Sequence, residues 1–286
     1  MRAHEIIFEA TQQAAQLRSR ATSWEDLAQA LPRIQLAIQQ ANQGNRIYRG
    51  LAHIDDPVLF KPQMPPGTRA SANTGNIYTL FIDNNQKWSN YPPRSASIIA
   101  SNNPDVAEGF GNTYLVLPEG NPAIGIALRE DFWMSFPRLQ ELGYWDLPEL
   151  NGIISNVISQ WFHRSNYSPS SWPELKKDLA SIDKINHFSF PNLPEKPAED
   201  VWPTTKKLLS FYPGSTMEQK LEYLLDPQAN GFELTRLSEF TSDDHQEKEI
   251  WLSAPCWFIR LSEFPYNWKK SGYDLAYHIL EKAAEE

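Results

Sequence analysis

The residues best suited to chemistry lie near the end of the chain, in Gln246-Glu247-Lys248-Glu249-Ile250-Trp251-Leu252. On a strand, residues i and i+2 share a face, so Glu247 and Glu249 project together, roughly 7 Å apart. Same-face carboxylates repel each other, and a sheet built only for stability has little use for them. Such a pair can divide the labour of group transfer. One carboxylate steadies a developing cation while the other takes a proton from a nucleophile. The plainer alternative is an edge strand whose charges deter aggregation.

Two earlier segments offer complementary groups. In Asn45-Arg46-Ile47-Tyr48-Arg49-Gly50, an Arg on a strand followed at once by Gly can point into a cleft while the backbone turns away. Its planar guanidinium suits a bidentate grip on a pyrophosphate, although a surface ion pair is the ordinary fate of such a residue. The stretch from Ser95 to Gly111 reads as an apolar strand ending in a small hydroxyl residue, then a turn into a short helix. Ser101 can there hold a neighbouring catalytic side chain or a ribose; alternatively, Ser101 or Asn102 caps the helix opened by Pro104.

Positioning these groups takes a mixed α+β fold. Strands are expected over Arg46–Leu51, Ile77–Ile82, Ser97–Ser101, Thr113–Leu117, Ala123–Leu128, Glu247–Leu252 and Trp257–Leu261. Helices are expected over 104–110, 147–162 and 217–225, the last opened by Ser215 and Glu218 at capping-box spacing. An N-terminal helical appendage occupies residues 1–45. One of its helices covers 4–20, and another starts near Thr22 and Glu25, kinks or breaks at Pro32 and stops at Gly44. Residues 46–286 form the main domain, with a long insertion at about 130–235 whose part over 164–214 reads as partly irregular. Neither GxGxxG nor GxxxxGK[ST] occurs, so the common phosphate-cradling loops are absent.

Composition narrows the function classes. A formal charge of −9 disfavours a general nucleic-acid-coating role. The single Cys256 excludes an internal disulfide and a cysteine cage, and the six His residues lack metal-ligand spacing, so no metal site is expected. His245 reads as a solvated loop residue rather than a base. No apolar run is long enough for a bilayer and no signal-peptide core opens the chain, which points to a cytoplasmic protein without a membrane partner.

Taken in chain order, Tyr48-Arg49-Gly50, Ile99-Ala100-Ser101 with Ala107 and Phe110, and Glu247-Lys248-Glu249-Ile250 resemble the Arg–Ser–Glu class of ADP-ribosyltransferases. That class is found among bacterial toxins, tailed-phage enzymes and vertebrate ecto-enzymes, and the match covers residues 46–50, 95–117 and 246–252. The resemblance implies an ADP-ribosyltransferase-like split β-sandwich that uses NAD as co-substrate. ADP-ribose would pass to an acceptor, an arginine side chain of a protein, since Glu rather than Gln stands at 247. Glu249 would stabilise the oxocarbenium-like ribose, Glu247 would activate the acceptor, Arg49 would bind the NAD phosphates and Ser101 would hold Glu249. Tyr48 and Phe110 are expected as pocket walls. The triplet Ile99-Ala100-Ser101 keeps only the last hydroxyl of the family's Ser-Thr-Ser, and a literal Ser-x-Ser occurs at Ser95-Ala96-Ser97 beside Arg94, so Ser97 stays open as the alternative serine. An NAD glycohydrolase, a non-catalytic virion or interaction protein that kept the fold, and a DNA- or RNA-modifying transferase, to which the charge of −9 gives no help, are the rival readings. The opening Met1-Arg2-Ala3-His4-Glu5-Ile6-Ile7 looks like the start of many tailed-phage proteins, a setting that implies a host cytoplasm or a place in the virion.

Overall fold

The computed structural model describes residues 20–67, 76–162, 167–185, 207–211, 215–242, 247–265, 268 and 273–286. The chain divides into two units, Met1–Arg69 with Asn90–Asp131 and Phe232–Glu286, and Ala70–Ser89 with Phe132–Gly231. The first unit holds a nine-stranded antiparallel sheet: β1 (Arg20–Ala21), β2 (Tyr48–Leu51), β3 (Val58–Lys61), β4 (Ile98–Ser101), β5 (Asn112–Pro118), β6 (Ala123–Ile126), β7 (Glu233–Arg236), β8 (Glu249–Leu252) and β9 (Cys256–Arg260). Their order across the sheet is β1-β3-β9-β5-β2-β4-β8-β6-β7. Strand β2 pairs with β5 over its whole length but with β4 only at Tyr48↔Ser101, so the two halves of the sheet meet at a single residue pair.

Helices α1 (Trp24–Gln29), α2 (Leu31–Asn42), α3 (Pro104–Glu108) and α4 (Leu275–Glu285) belong to the same unit. Ile34, Ala37, Ile38 and Ala41 recur at helical spacing on α2 and enter one core with Leu27 of α1, Leu275 and Ile279 of α4, and Leu115, Leu117, Ile250 and Phe258 of the sheet. The described part of residues 1–45 therefore contributes to the core of the sheet unit instead of standing apart from it. The capping box sits one residue later than the sequence spacing suggests: Ser23 accepts from Asp26 N at 3.0 Å, while Asp26 also takes the Thr22 hydroxyl at 2.7 Å. Pro32 falls in the first turn of α2, where its missing N–H costs nothing, and the chain does break there.

The expected strands near 46–51, 97–101, 113–117, 123–128, 247–252 and 257–261 are present with shifted ends. The expected strand Ile77–Ile82 is instead the α-helix Ile77–Asn84 of the second unit. Its run of apolar and β-branched residues is buried nearly all round, and such a run has no periodicity that separates a strand from a buried helix. Residues Trp172–Ile185 form a helix within the partly irregular stretch 164–214; beyond it, the helix Met217–Leu224 is boxed by Thr216 and Gln219, not by Ser215 and Glu218. The second unit also contains the helix Leu147–Trp161 and a cluster in which Trp88, Phe132 and Phe136 meet. Its buried Lys220 donates to the carbonyls of Leu208 and Leu209, and burial pulls its ammonium below the ordinary lysine range. The helix expected over 4–20 lies outside the described residues except for Arg20, which is in β1; His245 is outside them too. Among the described residues, no helix is long and apolar enough to cross a membrane.

Candidate functional site

A cleft opens in the first unit, lined by strand residues Tyr48, Arg49, Gly50, Ile99, Ala100, Ser101 and Glu249, by Val106, Ala107 and Phe110, and by Glu130. Residues from distant parts of the chain reach it from three strands, β2, β4 and β8, which are consecutive in the sheet. In antiparallel register Ser101 lies directly opposite Glu249, on the same face of the sheet. The same alternation sends Ile250 and Leu252 into the core and keeps Trp251 on the face of Glu249.

The register continues past the end of the β4–β8 ladder through side chains. Asn102 Oδ1 accepts from Lys248 N at 2.9 Å, and Asn103 Nδ2 donates to Glu247 Oε1 at 2.9 Å. Asn103 does more, because its Oδ1 accepts from Asp105 N and so caps α3, whose first residue is Pro104. Ser101 Oγ accepts from Asn103 N at 3.0 Å, which fixes the turn between β4 and α3. Ser101 is thus opposite Glu249 and part of the cap-forming turn at once. Ser97 goes elsewhere: it is buried, donates to Pro93 O at 2.7 Å and does not line the cleft. Ser95 also does not line the cleft, and its Oγ accepts from Gly67 N at 2.7 Å.

Arg49 is buried and donates from Nη1 to Ile99 O at 2.8 Å, a bond that ties β2 to β4 beside the cleft. Gly50 has a packing reason of its own. A Cβ there would lie 1.9 Å from Ala107 O and 2.9 Å from Phe110 Cβ, so only glycine lets α3 rest on β2 and bring Phe110 to the cleft wall. Tyr48 is buried and Phe110 half-buried, both on the lining.

Three residues of the site escaped the sequence reading of roles. Arg94 pairs with Glu249, Nη1 to Oε1 at 2.6 Å, with the two side chains 7% and 13% exposed. Glu130 follows the β6 extension: Ala127 N bonds to Glu249 O and Glu249 N bonds to Arg129 O, which delivers Glu130 to the cleft. Glu130 is hydrogen-bonded to Glu247, and that contact first, then burial, holds its carboxyl above the usual range. Asn103 is the third. The signals were faint: Arg94 adjoins the Ser95-x-Ser97 alternative, and nothing local to Glu130 announces a partner 117 positions away. Glu247 is exposed and precedes β8 instead of lying in it, yet it still turns to the Glu249 side while Lys248 turns away to pair with Glu233 at 2.7 Å.

The cleft can therefore present a guanidinium, a hydroxyl, an aromatic wall and the carboxylates of Glu249 and Glu130, while Glu247 lies outside the lining and reaches the site through its contact with Glu130. Among the described residues, no group of three His, Cys, Asp or Glu side chains is arranged to hold a metal ion. No protein-family model, curated protein or solved structure matches the chain.

Proposed function

We propose that the protein cleaves the nicotinamide–ribose bond of NAD and transfers ADP-ribose to an acceptor, an arginine side chain of a protein. The observation that carries this reading is the convergence of Arg49, Ser101 and Glu249 on one cleft from three neighbouring strands. These are the positions through which the chain resembles the Arg–Ser–Glu class of ADP-ribosyltransferases. The single residue pair joining β2 to β4 supports reading the sheet as that family's split β-sandwich.

Bond cleavage leaves the ribose with oxocarbenium-like charge, and a carboxylate fixed against it favours the transition state over the ground state. Glu249 is that carboxylate. Arg49 contributes a planar fork for the phosphates, and Tyr48 and Phe110 supply flat apolar walls. Glu247, at the exposed edge of the site and held by Asn103, takes the proton from the attacking nitrogen. Glu130 is placed to share that proton through its hydrogen bond with Glu247.

Incubating the purified protein with NAD labelled in the ADP-ribose half, together with a cell lysate, tests the proposal. Label on protein supports transfer, and label in free ADP-ribose makes the chain an NAD glycohydrolase. Intact NAD rules out both and leaves a non-catalytic role.

A further inference from the structure

The carboxylate at the centre of the site does not stand alone. Glu249 and Trp251 are two apart on β8 and share a face, and Arg94 meets both. Its Nη1 reaches Glu249 Oε1 at 2.6 Å, and its Cζ lies 5.1 Å from the Trp251 ring centroid. The Trp251 ring is itself fixed from several directions. Tyr91 stacks on it at 6.0 Å and 16°, Phe232 meets it edge-on at 6.1 Å, and its Nε1 donates to Pro92 O at 3.0 Å. Gly125 leaves the space for it, since a Cβ at that position would lie 2.2 Å from the ring. The result is a rigid seat for one guanidinium, placed in the short helical turn Arg94–Ala96 just before β4.

We propose that Arg94 is a positioning residue that holds the Glu249 carboxylate at the angle required to face the ribose of NAD. The inference rests on the reading of the site as an NAD-cleaving one. A half-buried carboxylate without this partner would rotate toward solvent, and a misplacement on the order of 1 Å costs roughly 10²-fold in rate. Arg94 touches neither the dinucleotide nor the acceptor in this scheme, so it acts on turnover and not on NAD affinity, which is the task of Arg49.

The test follows nicotinamide release by the full chain over a range of NAD concentrations. The proteins compared are the parent, Arg94→Gln, Arg94→Lys, Glu249→Gln and the double variant Arg94→Gln/Glu249→Gln, each with a melting curve to count folded molecules. Arg94→Gln is expected to lower kcat on the order of 10²-fold with KM within about threefold of the parent. Arg94→Lys should recover part of the loss, leaving kcat down about tenfold, because the charge returns without the planar fork. The double variant should turn over no more slowly than Glu249→Gln, since no carboxylate remains to be aimed. Parent-like kcat per folded molecule in Arg94→Gln, or a raised KM with kcat intact, overturns the role. If Arg94→Gln does not fold, Arg94→Lys decides on the same kcat and KM criteria. A parent protein that releases no nicotinamide overturns the transfer reading and the role of Arg94 together, and is recognised before any variant is made.

Discussion

Gly50 gives the sharpest link between a sequence motif and the stability of the site. Its backbone is not in the left-handed region, so the objection to alanine there is one of space alone. The added methyl would meet Ala107 O at 1.9 Å, and real Cβ contacts essentially never fall below 3.0 Å. The obstacle is backbone, so no side-chain rotation relieves it, and α3 must retreat by about 1 Å or more. Overpacking of this kind costs about 1–3 kcal/mol, here near the upper end, against a gain of about 0.4–1 kcal/mol from a less flexible unfolded chain. Gly50→Ala should therefore be destabilised by about 2 kcal/mol, which lowers Tm by about 4–8 °C in a protein of this size class. NAD affinity should fall with it, because Ala107 and Phe110 withdraw from the cleft. Scanning calorimetry of the parent and of Gly50→Ala measures the first effect. Gly152→Ala serves as the contrast: nothing lies within 4 Å of its added Cβ, and its helix should gain up to about 1 kcal/mol. If Gly50→Ala melted at or above the parent temperature, the close approach of α3 to β2 would be refuted.

Two further outcomes follow from the same geometry. Arg49→Lys keeps the charge but loses the planar fork, and NAD binding by titration calorimetry should weaken on the order of tenfold, equal to about 1.4 kcal/mol; unchanged affinity removes Arg49 from the site. Glu130 holds its proton more tightly in the folded chain because of Glu247, so its contribution to stability is present at low pH and is lost as pH rises above 4.5, through its raised value. Glu130→Gln should therefore lose less Tm than the parent between acidic and neutral pH, and identical slopes in the two proteins would exclude the carboxyl–carboxyl contact.

How much of this was legible in the sequence depended on the range of the interaction. The strand ends around Arg49, Ser101 and Glu249 were readable because alternation and turn residues are local signals, and the helix opened by Pro104 carried its own punctuation. Capping was misplaced by one residue at both Ser23 and Thr216, since two capping-box spacings overlap at each site, closed by Glu25 or Asp26 in the first and by Glu218 or Gln219 in the second, and only the backbone turn chooses between them. The helix at Ile77–Asn84 was not legible as a helix because Ile77, Tyr78, Thr79, Phe81 and Ile82 are buried on most of its faces. Arg94, Glu130 and Asn103 acquire meaning only once β4, β6 and β8 are paired, and that pairing is set by packing across more than a hundred residues. The positions of the two serines likewise depend on the long-range pairing: register puts Ser101 opposite Glu249, whereas Ser97 donates to a local carbonyl.

The most direct test of the central claim is the rate of nicotinamide release from NAD by Glu249→Gln and Glu247→Gln, with acceptor labelling followed in the same reactions. Glu249→Gln keeps the side chain's size and removes its charge, so both release and labelling should fall by a factor on the order of 10² or more. Glu247→Gln should suppress labelling of an arginine-type acceptor while nicotinamide release persists at a measurable rate. Release by Glu249→Gln at the parent rate would contradict the account.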